Sequence, residues 1–258
     1  MTVIDSRAII DPSARLADDV IVGPWSVIGP NVEIGAGSEI GSHVVIKRNT
    51  RLGSENRIYQ FASVGEDPAD KKFEGEDTWL EIGDRNIIRE GSTLHRGTGS
   101  GGGYTRVGND NLFMAYAHVA HDSIVGNHTV FANNAGVSGH VEVGDWVVLG
   151  GFAGVNQFLR IGAHAMVGGM THVTHDVPAC LIASGNPAAV RSINVIGLER
   201  RGHDKAAVME LRKAFKVVYR RGLKTDEALQ ELYSWPQENE LLRQFIASIE
   251  ASSRGILR

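Results

Sequence analysis

The histidines of this chain are the residues whose types and spacing point most directly to chemistry. The sequence contains 10 of them, and the stretch Ala117-His118-Val119-Ala120-His121-Asp122 sets two beside a carboxylate. An imidazole next to a carboxylate suits general-base catalysis, because its pKa lies near neutrality and the carboxylate orients the ring. Two alternatives stay open at this point. His118, His121 and His140 could converge on a zinc ion, or these side chains could be ordinary exposed polar residues at turns.

A six-residue repeat determines how these side chains are positioned. Aliphatic residues occupy every sixth position from Ile4 to Val64, eleven in succession, and the register resumes over 82–94 and 107–173. This period fits neither an amphipathic helix nor a two-sided strand. It is typical of a parallel β-helix, in which each repeat forms one short strand and one corner.

Stacking of the repeats predicts which functional residues meet. Three repeats of six make a coil, so positions 3 × 6 = 18 apart lie on neighbouring coils. Gly139 therefore lies beside His121, with His140 next to it on the same edge, and Asn156 and Gln157 follow about one coil later. An aliphatic prism does not need such a polar ladder in order to fold, so the ladder indicates function.

Two inserted loops and a change of composition define the predicted organisation. The segments 66–80, which is charged, and 95–106, which is rich in glycine, break the repeat. Insertions of this kind in solenoids lie on one face, often the binding face. We predict a hexapeptide-repeat parallel β-helix over 1–195 with these two loops, and a C-terminal helical domain over 196–258.

Composition excludes several classes of protein. Of the 258 residues, 42% are hydrophobic and 22% are charged, which is typical of a soluble globular chain without a membrane span. One cysteine excludes an internal disulfide, and a net charge of −4 argues against nucleic-acid binding by the whole molecule. We expect a cytoplasmic protein. The segment 198–224 nevertheless carries 9 basic and 3 acidic side chains, which predicts either a solvated helix face or a docking patch for phosphates or an acidic protein.

Longer motifs make a family resemblance specific. They are Ile88-Arg89-Glu90-Gly91-Ser92-Thr93-Leu94-His95-Arg96-Gly97-Thr98, Asn133-Asn134, Ser138-Gly139-His140, Asn156-Gln157-Phe158 and Gly197-Leu198-Glu199-Arg200-Arg201-Gly202. Over essentially its whole length the chain resembles the bacterial UDP-N-acetylglucosamine O-acyltransferases, which start lipid A biosynthesis. The resemblance implies an all-β solenoid with an α tail: a left-handed parallel β-helix, shaped as a triangular prism. It also implies a homotrimer with active sites in clefts between subunits.

The resemblance further implies the reaction and its partners. A 3-hydroxyacyl chain passes from the phosphopantetheine of acyl carrier protein to the 3-hydroxyl of UDP-N-acetylglucosamine, without another cofactor or a metal. His121 matches the general base, Asp122 its partner, and the Gly139 N–H the donor that stabilises the oxyanion. Gly169 matches a position that limits acyl-chain length, and the neighbouring Met170 can reach the same pocket.

The remaining site residues are also implied by the resemblance. Residues expected to bind the sugar nucleotide and its phosphates are Asp70, Lys72, His95, His118, His140, Asn156, Gln157, Asn194, Arg200 and Arg201. The family often has histidine where Asn156 lies, glutamate where Ile196 lies and a polar residue where Ala69 lies. Because these positions surround the acceptor, a 3-amino analogue of the sugar stays open as an alternative acceptor.

Three competing functions make different demands. A metal-dependent hydratase of the carbonic anhydrase type requires stoichiometric zinc on converging histidines. A non-enzymatic scaffold requires a regular polar ladder without insertions, which this chain does not have. A generic acetyltransferase would use acetyl-CoA rather than a carrier-bound hydroxyacyl donor.

Overall fold

Short strands at the six-residue spacing stack into three sheets in the computed structural model, which describes residues 2–258. The first sheet contains β1 (Val3–Ile4), β4 (Ile21–Val22), β7 (Glu39–Ile40), β10 (Arg57–Ile58), β13 (Ile87–Ile88), β16 (Leu112–Phe113), β19 (Val130–Phe131), β22 (Val148–Leu149), β25 (Met166–Val167), β27 (Leu181–Ser184) and β28 (Ala189–Ile193). The second sheet contains β2 (Ile9–Ile10), β5 (Val27–Ile28), β8 (Val45–Ile46), β11 (Ser63–Glu66), β14 (Thr93–His95), β17 (His118–Val119), β20 (Gly136–Val137), β23 (Gly154–Val155) and β26 (His172–Val173). The third sheet contains β3 (Arg15–Leu16), β6 (Glu33–Ile34), β9 (Thr50–Leu52), β12 (Trp79–Ile82), β15 (Tyr104–Val107), β18 (Ile124–Val125), β21 (Glu142–Val143) and β24 (Arg160–Ile161).

Each strand from β1 to β27 pairs in parallel with the strand one coil away, so the three sheets are the faces of a prism. Val119, for example, is in register with Val137, and Val137 with Val155. The only antiparallel pairing among the described strands joins β27 to β28 at the end of the prism. The predicted left-handed parallel β-helix with a helical tail is confirmed. Its hand differs from the right-handed rule for ordinary parallel crossovers.

The hydrophobic anchors fill the prism as the spacing predicts, except in the first coil. Every anchor from Val22 to Val173 is buried. Ile4, Ile10 and Leu16 are not, because the first coil has a neighbouring coil on one side only. The core of the prism therefore begins with the second coil.

The corners follow a second regularity. Residues with positive φ recur at every sixth position over long stretches, for example Tyr116 (60°), Asp122 (61°) and His128 (56°). In this left-handed backbone region Asn, Asp and His are tolerated better than bulky or β-branched residues. The strict turn at each corner is what brings equivalent side chains into straight ladders along the prism edges.

Four helices close the C-terminal end of the prism. They are α1 (Val195–Arg200), α2 (Lys205–Arg220), α3 (Thr225–Tyr233) and α4 (Glu240–Glu250). Their apolar faces share a second core with Ala179, Cys180 and Leu181 of the last coil. Among the described residues, no helix is both long enough and apolar enough to cross a lipid bilayer.

Both insertions leave the prism after a strand of the second sheet and return to a strand of the third sheet. The first runs from the end of β11 to the start of β12, over 67–78, and contains Asp70 and Lys72. The second, the glycine-rich loop, runs from the end of β14 to the start of β15, over 96–103. Arg96 joins the two loops: its guanidinium is buried, donates to the Gly65 carbonyl at 2.8 Å and pairs with Asp67.

Candidate active site

An open cleft lies on the outer face of the second sheet, between two corner ladders. Its volume is about 560 Å³. Two glycines, Gly136 and Gly154, form its floor, since they occupy outward-facing positions of β20 and β23 where other coils carry side chains. The other residues that line it are Ala69, His118, Ala120, His121, Asn134, Val137, Ser138, Gly139, Phe152, Ala153, Val155, Asn156, Gln157 and His172.

A histidine–carboxylate pair lies at one side of this cleft. His121 Nδ1 is 2.7 Å from Asp122 Oδ2, and the two residues are consecutive at the turn after β17. An ionised carboxylate only accepts hydrogen bonds, so Nδ1 must carry the proton. That tautomer leaves Nε2 unprotonated, and Nε2 is then available to accept a proton from a bound hydroxyl.

The Asp122 carboxylate is completely enclosed, with 0% of its side chain exposed. The glycine-rich loop covers it: Thr98 donates to Oδ1 through its N–H at 2.7 Å and to Oδ2 through its hydroxyl at 2.7 Å. Burial acts to raise the carboxyl pKa, but the hydrogen bonds from His121 and Thr98 outweigh burial. The pKa of Asp122 consequently lies below its ordinary value. Asp122 is thus a permanent carboxylate at neutral pH.

Gly139 lies against the His121 ring, as stacking by one coil predicts. A Cβ at position 139 would come within 2.5 Å of His121 Cε1, so only glycine permits this approach. The Gly139 N–H makes no hydrogen bond to any residue within 2–258. A free backbone donor beside the base is the arrangement that stabilises an oxyanion in acyl transfer.

Three further histidines surround the pair. The ring of His140 is perpendicular to that of His121 at a centroid distance of 5.3 Å, and His140 Nε2 is 3.5 Å from Asp122 Oδ2. His118, on the same coil as His121, forms a similar contact at 5.0 Å with His95 on the preceding coil. Burial lowers the pKa of His95 to about 4, and burial also lowers the pKa of His118. Both rings are therefore neutral at pH 7. The Nδ1 atom of His118 contacts the Thr93 hydroxyl and the Nδ1 atom of His95 is buried, so each ring has at most its Nε2 atom left for a polar ligand.

Asn156 and His172 close the far end of the cleft. His172 Nε2 is 2.7 Å from Asn156 Oδ1, and both side chains are exposed. His172 is in register with Gly154 and so lies two coils beyond Gly136. Gln157 lines the same wall. Gly169 and Met170 are exposed on the next coil, outside the cleft lining.

Other residues that the sequence assigned to the site lie elsewhere in the isolated chain. Asp70 and Lys72 are in the first loop, where the Asp70 carboxylate accepts from the Lys72 N–H at 3.0 Å, and neither lines the cleft. Asn194 is buried; it caps α1 and donates to the His164 carbonyl at 2.9 Å. Arg201 donates to the Trp146 carbonyl at 2.8 Å on the same corner of the prism. Arg200 is exposed on α1 and does not line the cleft either.

The proposed zinc ligands are only partly brought together. Ligand atoms of His121, Asp122 and His140 lie within 4.8 Å of one another, but His118 is not in this group. His118 Nδ1 instead contacts the Thr93 hydroxyl at 2.7 Å. The Asp122 oxygens already accept hydrogen bonds from Thr98 and His121. This geometry fits an orienting carboxylate better than a metal ligand.

Sequence reasoning missed the residues that enclose Asp122 and those that end the cleft. Thr98, Gly101 and Thr105 belong to a segment outside the six-residue register, so the repeat gave no position for them. His172 does follow the register, since it lies 3 × 18 = 54 residues after His118 and on the same face. That spacing was a signal that could have placed it.

The fold and this pair together define a hexapeptide-repeat transferase. The family model described as "Bacterial transferase hexapeptide (six repeats)" matches residues 1–36, 13–48 and 104–139. The model described as "Udp N-acetylglucosamine O-acyltransferase; Domain 2" matches residues 176–257.

Comparison with whole relatives narrows the class to one family. The acyl-[acyl-carrier-protein]–UDP-N-acetylglucosamine O-acyltransferase of Ectopseudomonas mendocina (strain ymp) is 55% identical over 258 residues, 100% of both chains. A crystal structure of UDP-N-acetylglucosamine O-acyltransferase from Moraxella catarrhalis RH4 is 47% identical, with a TM-score of 0.96 and 99% of each chain covered. The corresponding acyltransferase of Francisella novicida is 40% identical, with a TM-score of 0.96, and the alignment covers 99% of this chain and 94% of that one. The chain belongs to the acyl-[acyl-carrier-protein]–UDP-N-acetylglucosamine O-acyltransferase family.

Proposed function

We propose that this protein transfers a 3-hydroxyacyl chain from acyl carrier protein to the 3-hydroxyl of UDP-N-acetylglucosamine, the first step of lipid A biosynthesis. Family membership supports the donor and the acceptor. The observation that carries the mechanism is the His121–Asp122 pair beside the unpaired Gly139 N–H. Acyl transfer from a thioester needs one base and one oxyanion donor, so the proposal includes neither a metal nor a further cofactor.

The chemistry follows from the tautomer of His121. Nε2 takes the proton of the sugar 3-hydroxyl as the oxygen attacks the thioester carbonyl. The carbonyl oxygen becomes an oxyanion and accepts a hydrogen bond from the Gly139 N–H. When the tetrahedral intermediate collapses, the carbon–sulfur bond breaks, and the imidazolium returns its proton to the departing phosphopantetheine thiolate.

The other residues of the cleft suit recognition of the sugar nucleotide. His118, Asn156 and Gln157 line the cleft, and His95 and His140 lie against the rings of His118 and His121. The lowered pKa values of His95 and His118 keep these two rings neutral at pH 7, so they add hydrogen-bonding groups without adding charge. The exposed Gly169 and Met170 lie one coil further along the prism, where the end of an acyl chain would extend. These positions support roles for them in acyl-chain length.

A homotrimer would complete the site. Asn194, Arg200 and Arg201 belong to another corner of the same chain and cannot line its cleft. In a three-fold assembly that corner of one subunit faces the cleft of the next. We therefore propose that a neighbouring subunit supplies these residues for the nucleotide and its phosphates, and that Asp70 and Lys72 reach the sugar from the first loop.

A cationic groove supports docking of the carrier protein. The groove between β27, β28 and α2 has a volume of about 390 Å³, and its lining includes Arg212, Lys216 and Arg220 around an apolar floor. An acidic carrier protein complements this charge. We further propose a cytoplasmic location for the protein.

Replacement of the base tests the mechanism. His121→Ala should reduce transfer from 3-hydroxyacyl carrier protein by about 10²–10⁴-fold. His43→Ala is the matched control, since His43 is an exposed corner residue several coils away. Product mass spectrometry, with the 3-amino analogue included as an acceptor, distinguishes ester from amide formation. Full activity of the His121→Ala protein would refute the assignment.

Mixed trimers test the shared site. Co-expressed His121→Ala and Arg201→Ala chains should recover about a quarter of the wild-type activity, because one cleft in four then combines an intact His121 with an intact Arg201. No recovery, with both chains present in the same trimer, would mean that each cleft is built from one subunit.

A further inference from the structure

We propose that Thr98 is a positioning residue that acts through Asp122 to hold His121 in its base form. The inference rests on the proposed function, because the residue that Thr98 orients is the partner of the proposed base. Thr98 lies in the glycine-rich loop, outside the six-residue register, and reaches the carboxylate across 24 positions of sequence.

Both donors of Thr98 point at the same carboxylate. Its N–H donates to Oδ1 and its hydroxyl donates to Oδ2, each at 2.7 Å. Oδ2 also accepts from His121 Nδ1 at 2.7 Å. Thr98 and His121 therefore donate to the same carboxylate oxygen and together fix the orientation of the carboxylate. The Nε2 atom of His140 is 3.5 Å from the same oxygen.

The direction of the Thr98 hydroxyl proton is determined by the loop. The Gly101 N–H donates to Thr98 Oγ at 3.0 Å, so that oxygen already acts as an acceptor on the loop side. Its single proton is left to point at Asp122, which as a carboxylate can only accept. The loop and the carboxylate together therefore hold the hydroxyl in one donating direction, which it keeps as long as residue 122 is an acceptor.

The loop also excludes water from the carboxylate. Thr98 is 2% exposed and Thr105 is 0% exposed. Thr105 Oγ accepts from the Asp122 N–H at 2.7 Å. A Cβ at position 101 would lie 2.1 Å from Asp122 Cγ, so Gly101 lets the loop backbone touch the carboxyl group. Because no water reaches Asp122, water cannot replace the hydrogen bond from the Thr98 hydroxyl if that hydroxyl is removed.

The direct test is Thr98→Val, which keeps the shape and the backbone N–H but removes the hydroxyl. We expect kcat to fall about ten- to a hundredfold, the cost of a lost hydrogen bond to a buried charged group, with KM for the sugar nucleotide little changed. Thr98→Ser restores the hydroxyl and should recover most of the rate. If the valine protein does not fold, Thr98→Ala removes the same donor with less bulk.

The pH dependence separates positioning from general damage. Thr98 is one of the groups that lower the pKa of Asp122, so its loss should move the acid limb of the kcat/KM profile to higher pH. The titratable groups that face this site are His121 and His140 beside the carboxylate, and His95 and His118 beside His121. All of them are retained in the variant.

Thr129→Val is the matched structural control. Thr129 is also a fully buried corner residue, and its N–H and hydroxyl both donate to Asn111 Oδ1, at 2.7 and 2.8 Å. Its replacement removes an equivalent buried hydroxyl away from the cleft. Thermal unfolding should fall similarly in both valine variants, whereas only Thr98→Val should lose kcat.

A readout without substrate separates this inference from the proposed function. The Asp122 carboxyl carbon, followed by NMR with ¹³C-labelled aspartate, should titrate at higher pH in Thr98→Val than in the wild type. An inactive wild-type enzyme with this shift would sink the proposed function but support the role of Thr98. An unchanged Asp122 titration, or equal losses of kcat in Thr98→Val and Thr129→Val, would overturn the positioning role.

Discussion

Replacement of Asp122 by asparagine tests how the carboxylate controls the neighbouring imidazole. The Thr98 N–H is fixed in the backbone and donates to Oδ1. The amide oxygen of the new side chain must therefore occupy the Oδ1 position, and its NH₂ group takes the place of Oδ2. There it faces His121 Nδ1, 2.7 Å away in the wild type.

The expected fall in kcat follows from reversing the hydrogen bond between residue 122 and His121. An amide NH₂ donates, so His121 can keep its hydrogen bond only by presenting a lone pair at Nδ1 and placing its proton on Nε2. The nitrogen that should accept the hydroxyl proton is then blocked. We expect a fall in kcat of about 10²–10⁴-fold, or about 3–5 kcal/mol of transition-state stabilisation. Stability should change by only about 1 kcal/mol, since the Thr98 hydroxyl can turn and accept from the amide.

Two measurements decide the outcome. Initial rates of transfer from 3-hydroxyacyl carrier protein should fall while the melting temperature stays near that of the wild type, and ¹⁵N NMR of the His121 ring should report the proton on Nε2. Asp110→Asn, which alters a surface carboxylate paired with Arg85, is the control and should leave the rate unchanged. An Asp122→Asn enzyme within threefold of the wild-type rate would refute the argument that Asp122 selects the tautomer.

Two further predictions concern the cleft and the tail. Gly154→Val should preserve the fold, because a Cβ there meets no atom within 4 Å, but its branches fill the cleft floor and should raise KM for the donor about tenfold or more; unchanged kinetics would mean that substrates bind elsewhere. Burial, with the nearby Arg201 and His203 charges, lowers the pKa of His164 from 6.5 to about 4. As the pH falls, this histidine is protonated in the unfolded chain before it is protonated in the folded one. The neutral ring therefore stabilises the fold fully above about pH 6.5, and this stabilisation is lost between pH 6.5 and pH 4. We expect the free energy of unfolding, measured with denaturant, to fall between pH 7 and pH 5 by about 2 kcal/mol more in the wild type than in His164→Asn. Equal decreases in the two proteins would contradict a neutral buried ring.

The spacing of the sequence was sufficient to predict the prism and the neighbours of His121. In a β-helix the environment of a residue depends on its position within the coil, so a period of six located the buried anchors and an 18-residue step placed Gly139 against His121. The same logic could not reveal that Ile4 is exposed, because the end of a stack is not a property of the repeat.

The glycine-rich loop lay beyond this logic for a physical reason. Its conformation is set by contacts to one carboxylate, Asp122, rather than by a ladder of equivalent positions. Gly-Gly-Gly at 101–103 has no place in the six-residue repeat, so the repeat assigns no contact to it. In the structure Gly101 lies so close to the carboxyl group that a Cβ there would be 2.1 Å from its carbon, and Thr98 donates two of the hydrogen bonds to the carboxylate. The short helix α1 also has no periodic apolar face that would reveal it in the sequence, whereas the longer α2, which begins directly after Asp204, has one.

The parallel pairing of the prism strands β1 to β27 with the strand one coil away has a consequence for how such a chain can change in length. Loss or gain of a whole turn of the solenoid would leave all remaining corners on their original edges and shift the C-terminal helices by only about 4.8 Å along the axis. Loss of a single hexapeptide would instead rotate everything beyond it by one face, and within 122–138 it would separate His121 from Gly139. Outside that coil, the prism is therefore modular in units of eighteen residues and intolerant of any smaller step.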